Sequence, residues 1–420
     1  RQRQMCIRDS YYKRKNPMLV REMVRNVYKE CKGVAKGNCL TKEQRLSLQM
    51  DEFMNRRYEF RYNTQIGEVE YRERFSFQFY FHPIDKRAQN SIMLDAQSEG
   101  IGVWDRDIDR YLHSNRVPIY NPLEEFLFHL PHWDGKDRIH ALANRVPCNN
   151  PHWELLFHRW FLNMVSHWRG VDKMHANSTS PILVGVQGTH KSTFCREMIP
   201  PALRAYYTDS IDFSQKRDAE LYLNRFALIN IDEFDQITLT QQGFLKHILQ
   251  KPVVNLRKPH GRSVLELQRY ASFIGTSNQK DLLTDPSGSR RFICIEVTGN
   301  IDTTQPIDYE QLYAQAMHEI YHGERYWFDS EDEQIMTENN REFEQTPAML
   351  QLFYQYFKAA QTKEEGEFLT PVEILNYLKK KSGISLSDNK VYHFGRLLQK
   401  CGITSKHTYK GTVYQVIKVS

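Results

Sequence analysis

An α/β fold with a mostly parallel sheet is the class this sequence predicts, and three apolar runs predict it: PILVGV (181–186), FALINI (226–231) and ASFIGT (271–276). Each is nearly unbroken in apolar residues, the pattern of a central strand covered on both faces. They alternate with helical segments near 193–205, 216–224 and 240–250, and strand–helix alternation marks a layered α/β sandwich.

At 420 residues the chain is too long for one core and implies roughly two to four domains. Residues 11–117 read as a mixed α/β N-terminal region. It holds a basic helix over Leu19–Lys32, a second over Lys42–Arg57, and in YEFRYNTQIGEVEYR (58–72) a hairpin turning at Ile66-Gly67. Residues 118–175 read as a helical subdomain: NPLEEFLFHLPHWDGKDRIHALANRV (121–146) has helical apolar spacing on both sides of a Pro-His-Trp-Asp-Gly break, and a Trp-rich helix covers Pro151–Gly170. The α/β core occupies 176–325. Beyond it the acidic DSEDEQ (329–334) leads into helices that include LQLFYQYFKAAQ (350–361). The C-terminal domain, 345–420, has helices in VEILNYLKKKSG and NKVYHFGRLLQKCG followed by strands around Lys410-Gly411, the order of a winged helix-turn-helix.

Composition excludes several classes. No stretch approaches the ~18 consecutive apolar residues of a membrane span, and mean hydropathy is −0.64, so no membrane partner is expected. The seven cysteines are scattered without a CxxC pair, which argues against a disulfide framework or zinc ribbon and for a reducing cytoplasm. Seven histidines between His129 and His175 match no tetrahedral ligand spacing, and no nucleophile elbow supports Ser/His/Asp catalysis. The opening RQRQMCIRDS lacks an initiator Met and reads as translated adaptor sequence, so a truncated N-terminus is expected. Net charge is +6, yet residues 371–420 hold nine lysines and arginines against Glu373 and Asp388. A basic terminal domain on a near-neutral body suits a nucleic-acid binder.

The most specific element is PILVGVQGTHKST (181–193), a strand running into a glycine-containing loop and then Lys-Ser-Thr at a helix start. A triphosphate's charges must be met by backbone N–H groups, a helix N-terminus and a cation. Gly185 and Gly188 let the backbone approach the phosphates, Lys191 reaches the β and γ oxygens, and Ser192 ligates Mg²⁺, with Thr189, His190 and Thr193 completing the ATP-binding segment. His190 stands where the G-x-x-x-x-G-K-[ST] pattern has glycine, and its side chain narrows the permitted backbone angles. FALINIDEFD (226–235) is an apolar strand ending in Asp232, placed to hold the metal, and Glu233, placed as general base on water. ASFIGTSNQ ends in polar Thr276, Ser277 and Asn278. In DPSGSRRF, Arg290 and Arg291 follow a glycine turn, and a guanidinium there suits a phosphoryl transition state supplied between subunits.

In this order NPLEEFLFHLPHWDGKDRI, GVQGTHKST, NIDEFD, VVNLRKPHGR, GTSN and GSRRF resemble the virulence-associated protein E family, ATPases akin to superfamily 3 helicases and primase-helicases of phages and mobile elements. The stretch from FYQYFKAAQ to YKGTVYQV is similar to the tail domain attached to such proteins in Bacteroides-type bacteria. The resemblance implies an AAA+ P-loop core in a homo-hexamer with Mg²⁺–ATP between subunits, Asn278 as sensor of the attacking water, and Arg290 as finger with Arg291 as its partner or a structural residue. It also implies that VVNLRKPHGRSVLELQRYASF (253–273), a hairpin turning at Pro-His-Gly, projects into a central pore. Arg257, Lys258, His260 and Arg262 would there meet single-stranded DNA phosphates. In the tail, Lys390, Arg396, Lys406 and Lys410 are the DNA-contact candidates.

The expected function is an ATP-dependent helicase or translocase on single-stranded or forked DNA, with a primase fused upstream or separate. The competing class is a DNA-bound regulatory or scaffold ATPase that unwinds nothing.

Overall fold

The computed structural model describes residues 40–77, 79–170, 172–256, 264–283, 286–344, 348–360, 366–383, 391–409 and 411–419. The chain divides into two units, with the boundary between Tyr120 and Asn121.

In the first unit helix α1 (Lys42–Arg57) starts at Thr41, whose hydroxyl and the Gln44 side chain cap each other's backbone N–H groups. It buries Met50, Phe53 and Met54. Strands β1 (Tyr58–Asn63) and β2 (Glu68–Glu73) pair antiparallel, Tyr58 opposite Glu73, as the hairpin reading expects. Strand β3 (His82–Pro83), helices α2 (Lys86–Ser98) and α3 (Asp105–Leu112) and strand β4 (Ile119–Tyr120) complete it, in sheet order β3-β2-β1-β4. The helix expected over Leu19–Lys32 lies outside the described residues.

The second unit opens with α4 (Pro122–Phe128) and α5 (Arg138–Ala143), two helices flanking the Pro-His-Trp-Asp-Gly break, and α6 (Trp153–Arg169). Helix α6 buries Trp160 and Trp168 completely and lies on the sheet that follows. That sheet has strands β5 (Ser180–Val184), β6 (Tyr207–Thr208), β7 (Leu228–Ile231), β10 (Ser272–Ser277) and β11 (Phe292–Glu296), ordered β11-β5-β10-β7-β6. All four pairings are parallel. The three apolar runs thus sit side by side at its centre, where every residue of β5, β7 and β10 is buried.

Between the strands run α7 (Lys191–Glu197), α8 (Lys216–Arg225) and α9 (Leu239–Leu249). The single helix expected near 193–205 is instead α7 and a 3₁₀ turn, Pro201–Tyr206, because Pro200 and Pro201 lack the N–H groups that continue a helix. Strands β8 (Val253–Leu256) and β9 (Leu265–Gln268) form a separate antiparallel pair, with Val253 opposite Gln268. Helices α10 (Tyr309–Tyr321) and α11 (Ser330–Asn339) follow β11. Trp168 stacks on Tyr313 of α10 with ring centroids 5.1 Å apart.

The C-terminal segment holds α12 (Ala348–Tyr356), β12 (Phe357–Ala359), β13 (Glu367–Leu369), α13 (Pro371–Ser382), α14 (Val391–Lys400), β14 (Ser405–Thr408) and β15 (Gly411–Lys418). Strand β15 pairs antiparallel with β12, β13 and β14 around a core that includes Phe353, Phe357, Phe394 and Val416. The helix expected over 350–361 therefore ends early: Phe357 pairs with Lys418, and tertiary pairing overrides the helical spacing. Among the described residues no helix is long and apolar enough to cross a membrane.

Candidate functional site

The carboxyl ends of three adjacent parallel strands converge, the place where open α/β sheets assemble sites. At the end of β5 the chain turns out of the sheet at Gly185, where a Cβ would lie 3.0 Å from the Val297 carbonyl oxygen. Gly188 follows with φ +88. His190 adopts φ 64 and ψ 21, left-handed backbone that a glycine takes without cost. Among the described residues only His190 and Glu233 combine a side chain with positive φ, Glu233 at φ 53. Both flank the same convergence, and backbone strain of this kind concentrates at functional sites. The loop is pinned by Thr189, whose hydroxyl donates to the Val186 carbonyl at 2.9 Å and whose carbonyl accepts from the Ile301 N–H at 3.2 Å.

Lys191 folds back into this loop. Its Nζ donates to the carbonyls of Gly185 (2.7 Å) and Val186 (2.8 Å), with Thr189 Oγ1 at 3.4 Å and Asn278 Oδ1 at 3.3 Å. The residue is only 7% exposed. Burial lowers its pKa while the charge of Asp232 works the other way. Asp232, at the end of β7, accepts from Ser192 Oγ at 3.1 Å through Oδ1, and the Thr276 hydroxyl donates to the same oxygen. Ser277 Oγ donates to Asp235 at 2.8 Å. β5 with its loop, β7 and β10 are thus joined by Lys191–Asn278, Ser192–Asp232 and Thr276–Asp232.

A hydroxyl and a carboxylate side by side are hard oxygen donors of the kind Mg²⁺ takes. A buried ammonium held only by carbonyl and side-chain oxygens fits an anionic phosphate, because those are replaceable partners. The residues present therefore fit both groups. Glu233 and Thr193 are exposed beside this cluster.

Other expected residues lie apart. Arg290, in the 3₁₀ turn Pro286–Arg291, pairs with Glu333 of α11 at 2.9 Å, and Arg291 ends the same turn. Arg396 lies on α14, and Lys406 on β14 places its Nζ 3.5 Å from the centroid of the Phe368 ring. Arg257, Lys258, His260, Arg262, Lys390 and Lys410 lie outside the described residues, although β8 and β9 on either side of the first four pair as a hairpin requires. Of the histidines, His140 and His158 stack at 4.8 Å, and each meets a carboxylate at 2.7 Å, Asp137 and Glu319. The sequence reading lists Thr276 only as a polar strand end and misses its bond to Asp232; the one signal was its place in the Thr-Ser-Asn ending of β10.

A family profile described as the virulence-associated protein E-like domain matches residues 127–345. Another, described as a domain of unknown function from B. Theta, matches residues 346–416. No curated protein matches the chain. Among solved structures, the apo NrS-1 C terminal region is similar with a TM-score of 0.44 and 12% identity, covering 89% of this chain and 98% of that chain. An A form apo structure of the same region has a TM-score of 0.42 and 11% identity, covering 86% and 96%.

Proposed function

The chain belongs to the virulence-associated protein E-like family, and from that premise we propose that it is an ATP-hydrolysing motor of a phage or mobile element that moves on single-stranded DNA. One observation carries the proposal: Lys191, Ser192, Asp232, Thr276 and Asn278 meet where three parallel strands end. The strand order β11-β5-β10-β7-β6, with the loop after the first of these strands in sequence and the acidic pair after the third, supports an AAA+ core. The proposal keeps four domains, a mixed N-terminal region, a helical subdomain, the ATPase core and a winged-helix-like tail, with Arg396 on α14 and Lys406 on β14 of the tail.

In this mechanism Lys191 exchanges the carbonyls of Gly185 and Val186 for the β and γ phosphate oxygens of ATP. Ser192 and Asp232 would hold Mg²⁺, which would supply charge neutralisation at the phosphates. Thr276 fixes the rotamer of Asp232, Asn278 orients the attacking water, and Glu233 accepts its proton. Arg290 leaves Glu333 to reach the γ phosphate in a neighbouring subunit of a homo-hexamer. The hairpin β8–β9 presents its basic tip to DNA in the ring, in the cytoplasm and in company with a primase. ATP-dependent displacement of a labelled strand from forked DNA tests this, and its absence at saturating ATP contradicts it. One observation favours a second reading, a non-unwinding DNA-bound switch: the strained His190 backbone at the phosphate loop. Such a switch binds forked DNA with ATP and leaves it paired.

A further inference from the structure

Arg269 directly follows β9, and it is wholly buried. Its guanidinium makes five hydrogen bonds, every one to a backbone carbonyl. Nε donates to Ala271 at 2.9 Å, Nη1 to Ile248 at 3.3 Å and to Leu249 and Lys251 at 2.7 Å each, and Nη2 to Asn177 at 3.0 Å. Ile248, Leu249 and Lys251 are at the end of α9, where a helix leaves carbonyls unpaired. A glycine cap would satisfy such a helix end without recruiting a distant side chain. Here one side chain also holds Asn177, just before β5, and Ala271, just before β10.

These three elements lead, at their other ends, to the candidate site. β5 runs into the Lys191 loop, β10 ends beside Asn278, and α9 is the helix that follows Asp232 and Glu233. The hairpin base is fastened there by further bonds: Asn224 Nδ2 to the Gln268 carbonyl at 2.7 Å, Gln268 Nε2 to the His167 carbonyl at 3.3 Å, and Tyr270 N–H to the Leu223 carbonyl at 2.8 Å. We propose that Arg269 is a positioning residue that clamps the β8–β9 hairpin to the elements carrying the nucleotide site, so that nucleotide binding at Lys191 is transmitted to the hairpin. The proposal rests on the reading of that site as a nucleotide site. An arginine suits the task because its planar fork satisfies several carbonyls at once and holds its charge across the working pH range.

The test is amide hydrogen exchange of peptides covering β8 and β9 in the full chain, with and without Mg²⁺ and the non-hydrolysable analogue AMP-PNP. In the wild type, exchange in the hairpin is expected to slow by about fivefold or more when the analogue binds. In Arg269→Lys, with its circular dichroism and analogue affinity retained, that response is expected to vanish. If Arg269→Lys does not fold, Asn224→Ala, which removes the bond to the Gln268 carbonyl, is expected to cut the response at least about twofold. A wild-type hairpin that does not respond while the analogue binds overturns the clamp and leaves the nucleotide site standing, as does an undiminished response in the variant measured. A wild type that binds no analogue overturns the site reading, and the clamp with it.

Discussion

Among the described residues of the second unit two cations are buried, and they are held in opposite ways. Lys191, in the loop after β5, is met by two loop carbonyls and two side-chain oxygens. Arg269, at the hairpin base, is met by five carbonyls spread over a helix end and the approaches to two strands. Among the described residues neither has a carboxylate within ion-pair distance. Burial lowers the pKa of both, Arg269 to about 9, still above neutrality. The contrast teaches what a buried charge is for in each place. Three of the lysine's partners lie in one short loop and the fourth is the side chain of Asn278, all within the candidate site, whereas the arginine's partners are backbone carbonyls of the framework.

Removing each cation should therefore fail differently. Arg269→Met leaves a helix end and two strand approaches without their donor, and it is expected to cost about 4 kcal/mol of stability, read from urea unfolding midpoints. Lys191→Ala is expected to lower ATP turnover by about 100-fold or more, near 2.7 kcal/mol, while the urea midpoint moves by less than about 1 kcal/mol. Equal stability losses in the two variants would erase the distinction.

A smaller effect sharpens the comparison through pH. His167 is buried beside Arg269, and its Nε2 accepts the Asn177 N–H at 2.8 Å. Burial first, and then the charge of Arg269, push its pKa down to about 3 from the ordinary 6.5. Its folded-state value is the lower one, so the unfolded chain takes up the proton first. Stability is full above pH 6.5 and falls as pH drops toward 3, by up to about 1.4 kcal/mol per pH unit. His167→Gln is expected to flatten thermal stability between pH 6.5 and 5, and an unchanged slope would place the acid sensitivity elsewhere. Smallest of all, His190→Gly is expected to gain about 1 kcal/mol by relieving left-handed strain, offset in part by the glycine's freedom when unfolded.

Much of this was legible in advance because the central strands are short apolar runs and the loop residues lie within nine positions of one another. β6 was not legible, since two residues carry no period. The end of α12 was hidden because Phe357 keeps helical spacing while its strand partner, Lys418, lies far along the chain. Arg269 carries no signal in the sequence: its partners are backbone carbonyls as distant as Asn177, and a carbonyl has no sequence signature. The Asp232–Thr276 bond was hidden for a related reason, because it depends on β7 and β10 being neighbours.

The most direct test of the central claim is ATP hydrolysis by the full chain with and without single-stranded DNA, in the wild type, Lys191→Ala and Glu233→Gln. The account expects turnover that DNA stimulates in the wild type and that is lost in both variants, with Glu233→Gln still binding ATP. Turnover absent from the wild type, or unchanged in the two variants, would contradict it.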